Sequence, residues 1–411
     1  MNIKHSGQGA SDPPALRRTL TLPLLTLYGL GVTVGAGIYV LIGTTVAQAG
    51  AFAWVSFLLA AIVVAFTAFS YAELATRFPV SAGEAAYVEA GFASPNLARL
   101  VGLLVVASGM VSASAVSVGA AGYLGGLIAV SQPALIIAVV VSMGVLAWWG
   151  ITQSVTVAAL ITVIEICGLI FVISWGFGMS ENGGVTPAEL IPPLTGPHWS
   201  GIAAASLLAF FAFIGFEDMV NVAEEVADPR RTIPSAIILT LIAATILYVA
   251  VSIAVLMAVP TDDLAASTEP LTLVFANAPS SIQVGFAAVA VVATVNGVLI
   301  QMIMASRVLY GMADRGQLPI ALARLSPRTQ TPWVATLLVA LAIMGLALFL
   351  PIESLAGWTS QIVLGVFVFV NVALIMIKRR DSSTGDHFSV PMVVPVLGIV
   401  TSIVLLGSTF L

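Results

Sequence analysis

Runs of apolar residues long enough to cross a lipid bilayer recur eleven times along this chain. They fall at about 21–48, 51–78, 97–128, 133–150, 153–177, 200–223, 235–259, 282–308, 332–350, 355–377 and 390–410. A spanning helix needs roughly 17–25 such residues. Backbone in hydrocarbon must satisfy its own polar groups, which a helix does within one segment. The sequence therefore predicts an all-α integral membrane protein with about 11 transmembrane helices. Only 8% of residues are charged, against roughly 25% in a soluble domain, so most of the surface faces something other than water. The two longest connections, 178–199 and 309–331, leave no room for a soluble domain, and Pro192-Pro193 marks the first as irregular.

Charge sets the orientation. With the N-terminus in the cytoplasm and the sides alternating at each span, all 14 Lys and Arg residues fall on or beside the cytoplasmic face. They are Lys4, Arg17, Arg18, Arg77, Arg99, Arg230, Arg231, Arg307, Arg315, Arg324, Arg328, Lys378, Arg379 and Arg380. The outer loops carry acids alone: Glu181, Glu189, Asp262, Asp263, Glu269 and Glu353. The positive-inside rule then predicts a multi-pass cell-membrane protein, in a prokaryote that of the inner membrane. An odd number of spans puts Leu411 outside.

Other classes fall away. A net charge of −5 offers no basic patch to nucleic acid. Cys167 is alone, and His5, His198 and His387 are far apart, so neither a disulfide nor a metal site is expected. The first apolar run lacks the cleavage pattern of a removable signal. A channel would need polar rings along the spans, a seven-span receptor fewer spans, and a membrane enzyme a catalytic cluster. None is legible, and the chain is not expected to be an enzyme.

Internal symmetry points elsewhere. Span 1 is interrupted by Gly-Val-Thr-Val-Gly-Ala-Gly (Gly31 to Gly37) and span 6 by Phe-Ile-Gly-Phe-Glu (Phe213 to Glu217), about 180 positions later. The same offset carries span 2 onto span 7 and span 3 onto span 8. Five spans map onto the next five, and because five is odd the second copy enters the membrane from the opposite face. Residues 1–20 form a cytoplasmic tail, 21–178 the first repeat, 200–378 the second, and 379–411 an additional span. An inverted repeat with an interrupted helix leading each half is the sequence pointer to a secondary transporter with a midplane site. The alternative reading is that the glycines only let helices pack closely.

Four motifs, in order along the chain, carry a family likeness: GVTVGAGIYVLIG, YAELATRFPVSAGEAAYV, FFAFIGFEDMVNVAEEVADPRRTIPSAI and ASRVLYGMADRGQLP. With them the sequence resembles the amino acid–polyamine–organocation transporters, nearest their cationic-amino-acid-transporter-like branch. That resemblance implies a LeuT-type five-plus-five inverted-repeat fold and amino acid transport by alternating access, either symport or amino acid/polyamine exchange. The usual pattern has twelve spans, and this chain shows eleven.

An unwound segment leaves backbone N–H and C=O groups without helical partners. In a membrane these persist where they line a cavity. The half-helix beginning near Gly37 offers amides and a positive dipole end to a carboxylate, with Gly35 and Gly37 admitting close approach. Carbonyls around Phe210, Phe213 and Ile214 suit an ammonium group. One anion site facing one cation site describes an amino acid, and the resemblance assigns the same two segments to the same two groups. Thr33, Gly35, Ala36, Gly37, Ile38, Phe210, Phe213, Ile214, Gly215, Phe216 and Asn296 are the expected substrate contacts. Phe211 and the span 3 serines Ser112, Ser114 and Ser117 stand nearby. The aromatic residues have packing as their plainer role.

Three acids stand out in or beside the spans: Glu165, Glu217 and Asp218. Glu217 follows the span 6 break, where it either faces a cation and gates, or caps the second half-helix. Asp218 shares the second option. Glu165 lies mid-span in VAALITVIEICGLIFVI. Ionised at the bilayer centre it would cost at least about 2.5–3.5 kcal/mol, so it is expected to exchange a proton as its surroundings change. Related transporters often hold a lysine at what looks like this position. The expected coupling ion is the proton, with sodium and a permanently protonated structural glutamate as alternatives, and no cofactor is expected. Charges in DPRRTIPSA and SRVLYGMADRGQLP are expected to form ion pairs at the inner gate, each worth about 0–1 kcal/mol.

Overall fold

The computed structural model describes residues 20–79, 83–149, 155–178, 184–193, 198–327, 329, 331–381 and 387–407. The tail 1–19 with Lys4, His5, Arg17 and Arg18, together with Glu181, Arg328 and Leu411, lies outside them. Among the described residues the chain is helical, with one isolated bridge between Leu20 and Val226.

The stretch Leu22–Arg77 is apolar for 56 residues. A straight helix of that length would measure about 84 Å, nearly three times a bilayer core of about 30 Å. The chain has to reverse within it. It does so at Gly50, whose φ of +56° suits glycine. Before the reversal come α1 (Leu22–Val34) and α2 (Ala36–Ala49), and after it α3 (Ala53–Arg77). A short helix α4 (Gly83–Phe92) leads to α5 (Pro95–Leu127), which Ser94 caps by accepting from the Leu97 amide. Then follow α6 (Gln132–Trp149), α7 (Val155–Gly178) and α8 (His198–Phe211), a 3-10 helix over Phe216–Glu225, and α9 (Pro229–Ala258). The connection after α9 is ordered, with α10 (Thr261–Ala266) and a 3-10 turn at Pro270–Phe275 packed on α2. The chain finishes with α11 (Ser280–Asp314), α12 (Trp333–Phe349), α13 (Ile352–Arg380) and α14 (Val393–Gly407).

Eight stretches are long and apolar enough to cross a membrane. The first is divided by the reversal at Gly50, and α12 and α14 are shorter apolar helices. Their outer faces present large apolar side chains such as Leu160, Ile246, Leu341 and Val404. That surface suits lipid. Helices expected to be equivalent in the two halves pack on one another: α3 on α9, α5 on α11, and α6 on α12. The interrupted helices meet across the middle, where α2 packs on α8 and α1 on the 3-10 helix.

Cross-links define two opposite ends. At one, Trp54 Nε1 donates to the Leu190 carbonyl at 3.0 Å and the Val185 amide to that of Leu256 at 2.9 Å. At the other, the fully buried Glu73 accepts from Arg77 Nε at 2.9 Å, Lys378 Nζ at 2.7 Å and the Val390 amide at 2.8 Å. Lys378 also donates to the Val390 carbonyl at 2.7 Å. Buried charge persists only when it is paired and hydrogen-bonded in this way. This cluster clamps α3, α13 and the approach to α14 together. Glu73 also adds to the three acids singled out in the sequence. We call this the basic end.

Candidate functional site

The two interruptions differ in extent. In span 6 the helix stops at Phe211, and 3-10-type bonds follow: Ala212 N–H to Ala209 O at 3.1 Å, Phe213 to Phe210 at 2.9 Å, Ile214 to Phe211 at 3.2 Å. Gly215 then turns the chain at φ +125° before the 3-10 helix begins. In span 1 the expected unwinding over Gly31 to Gly37 narrows to Gly35 alone, at φ −54° and ψ −75°. Glycine permits a break without compelling one, and here its backbone stays in the right-handed region.

The breaks are pressed together backbone to backbone. A Cβ on Gly37 would collide with Ala212. One on Gly215 would lie 2.7 Å from Val32 Cγ1 and 3.0 Å from the Val32 carbonyl. The Tyr248 hydroxyl of α9 reaches both breaks, 2.7 Å from the Thr33 carbonyl and 2.7 Å from that of Ala212. It donates to one carbonyl at a time. Among the described residues no side chain caps the N-terminus of α2, which begins at the break.

A central cavity of about 30 Å³ lies there, lined by Thr33, Gly37, Ser112, Phe211, Ile214 and Gln301 among others. A second, of about 20 Å³, adjoins it toward the basic end and shares Ser112, Ile214 and Gln301. A water needs about 10–15 Å³. Each cavity therefore has room for a water or two.

Of the expected contacts, Thr33, Gly37 and Ile214 line the central cavity, and the Thr33 hydroxyl is buried without a partner. Ile38 is fully buried in the core. Phe210, Phe213 and Phe216 are also fully buried and held by other rings: Phe210 on Phe367, Phe213 on Tyr248, Phe216 on Tyr71 and Phe367. Phe211 is the ring that faces the cavity. Of the span 3 serines, Ser112 does so, while Ser114 and Ser117 bond back to the Met110 and Ala113 carbonyls. Asn296 is buried one residue before Gly297, which lines the cavity. The side chains of Ala36, Glu224 and Glu225 lie outside the described residues.

The acids separate into two groups. Glu165 on α7 is fully buried, and neither carboxylate oxygen has a hydrogen-bond partner. Its Oε1 faces Gly35, 3.8 Å from where a Cβ would stand, with the Ala293 carbonyl of α11 on the same spot at 3.4 Å. The Tyr39 hydroxyl donates to the Glu165 carbonyl at 3.0 Å and so fixes α7 against α2. Glu217 bends back to accept from the Gly215 amide at 2.8 Å. Both Glu217 and Asp218 line the second cavity with Glu84. Gln301, Tyr248 and Glu84 are not among the residues expected from the sequence. A polar side chain in mid-span is a signal for the first, but nothing in the sequence says what the other two touch.

A model of the amino acid permease family matches residues 20–411. The chain is 32% identical over 394 residues to the vacuolar cationic amino acid transporter 2 of Arabidopsis thaliana, covering 91% of this chain and 62% of that protein. It thus spans less than two thirds of that relative's length. It is 30% identical over 417 residues to the branched-chain amino acid permease BcaP of Bacillus subtilis (strain 168), covering 95% and 87%. To the methylthioribose transporter of the same bacterium it is 27% identical over 417 residues, covering 95% and 88%.

Proposed function

The chain belongs to the amino acid permease family, and from that premise we propose that it is a carrier that moves an amino acid across a membrane by alternating access. One observation carries this reading: the uncapped start of α2 and the unpartnered Thr33 hydroxyl meet the unwound span 6 segment at one small central cavity. Amides at a helix start suit the α-carboxylate, and the carbonyls of Phe213 and Ile214 suit the α-ammonium group. Of the remaining walls Val32, Val116, Phe211 and Ile300 are apolar, and Ser112 and Gln301 are polar but uncharged. They favour a neutral, branched or small apolar side chain. The substrate is therefore closer in kind to that named for the Bacillus branched-chain permease than to methylthioribose.

Coupling is assigned to the proton through Glu165. An unpaired carboxylate enclosed between α2, α7 and α11 is costly when ionised, so its charge changes with each exposure to water. Sodium is the alternative ion and exchange the alternative cycle. The basic end is the cytoplasmic one in this reading, and the membrane is the cell membrane.

A thermal-shift panel of amino acids, polyamines and methylthioribose on the purified protein tests the substrate. A ligand at 100 times its dissociation constant stabilises by roughly 2.7 kcal/mol. Leucine, isoleucine, valine or alanine is expected to raise the unfolding midpoint saturably. A shift from methylthioribose or polyamines alone contradicts amino acid transport, and a shift from lysine or arginine alone contradicts the apolar side-chain site.

A further inference from the structure

The second cavity gathers three carboxylates from two separate stretches of chain. Glu84 comes from the first turn of α4, Glu217 and Asp218 from the 3-10 helix after the span 6 break. They are 5%, 8% and 8% exposed. Two of them are partly engaged. The Tyr71 hydroxyl donates to Glu84 Oε1 at 3.2 Å, and Glu217 accepts from the Gly215 amide. The Asp218 carboxylate, more than nine-tenths buried, lines the cavity with no hydrogen-bond partner among the described residues.

Among the described residues the elements lining the cavity bring no compensating charge. Toward the cavity α3 presents Tyr71, α5 Ser108 and Ser112, α11 Gln301 and Met304, and α13 Val363, Val366 and Phe367. The Tyr87 hydroxyl of α4, fully buried and without a partner, belongs to a ring packed edge-on against Tyr71. Among the described residues no lysine or arginine lines the cavity, and the buried ion pairs of Arg77 and Lys378 are made with Glu73. Three carboxylates around a space for one or two waters, without a cation, cannot all be ionised together.

We infer that Glu84, Glu217 and Asp218 form a proton-binding site, which holds at least one proton while the basic end is closed and releases it when that end opens. The proton leaves a carboxylic O–H for a cavity water and then for bulk water, and a carboxylate remains behind. Closure reverses the transfer. Once ionised, the three groups repel one another and gain from hydration, so deprotonation favours the open form. Glu165 lies on α7 and does not line this cavity. The cluster therefore sets how readily one face opens and does not itself carry the proton across. The inference rests on the transport reading only for the opening step.

Infrared spectroscopy of the reconstituted full chain tests it without any transport. Glu165→Gln serves as the background, so that Glu165 contributes nothing to the protonated-carboxyl C=O band. At pH 7, well above the ordinary carboxylate value of about 4, this background is expected to keep such a band, and the band is expected to fade as pH rises. Asp218→Asn or Glu84→Gln added to this background is expected to lower the band or to shift the pH at which it fades. If one of the two does not fold, the other and the titration of the background still decide the matter. No protonated-carboxyl band at pH 7 in the Glu165→Gln protein overturns the inference, as does a band that neither substitution alters.

Discussion

Gly37→Val and Gly215→Val are each expected to abolish uptake and to lower the unfolding midpoint, because each drives the two interrupted helices apart. A Cβ at Gly37 collides with Ala212, and one at Gly215 meets Val32 in a backbone conformation that L side chains rarely adopt. Overpacking costs about 1–3 kcal/mol, and the positive φ at Gly215 adds roughly 1–3 kcal/mol. Gly311→Ala, where a Cβ meets nothing within 4 Å, is the control and is expected to leave both quantities near wild type. Unfolding in detergent beside uptake in proteoliposomes measures the effect. Either valine variant with wild-type stability and uptake would contradict the close crossing. Loss of uptake at Gly37 thus reports packing as well as access to the α2 amides, which the glycine pattern in the sequence did not separate.

Glu165→Gln is expected to uncouple the carrier. Glutamine keeps the shape of the side chain but cannot titrate. One proton carried with each substrate supports about a tenfold accumulation per imposed pH unit. In the variant that ratio should fall to about one, while exchange of substrate for substrate persists. The geometry explains the split. The carboxylate is enclosed between Gly35 and the α11 backbone without a partner, whereas the central cavity does not include it among its walls. A Glu165→Gln protein that still concentrates substrate in response to a pH gradient, with unchanged pH dependence, would refute the assignment.

The spans were legible because hydrocarbon leaves a chain few options. The apolar runs fold as apolar helices, and extra structure lies in the connections, in α4 before span 3, in α10 and the turn at Pro270–Phe275 after span 7, and in a 3-10 turn at Ile320–Ala323 after span 8. The interrupted helices were legible in position but not in extent. GVTVG reads as flexible as FIGFE does, yet the first bends only at Gly35, while Gly215 with its positive φ opens the second. Sequence could not rank the span 6 rings, since helical period gives a face and not the neighbour on it. Phe213 and Phe216 flank the break but pack on Tyr248 and Phe367, and Phe211 alone among them faces the cavity. Glu73 and Glu84 were read as part of a motif. Their roles depend on Lys378 and Asp218, hundreds and more than a hundred positions away, and no local pattern encodes such a meeting.

In the proposed function the crossed breaks bind an amino acid and expose it to one side at a time. Uptake of labelled leucine into proteoliposomes preloaded with unlabelled leucine, against empty ones, tests it most directly. Saturable uptake that the internal amino acid accelerates is expected, because a loaded carrier returns faster than an empty one. Uptake that rises linearly with concentration and ignores the internal amino acid would contradict it, since that is how an open pore behaves.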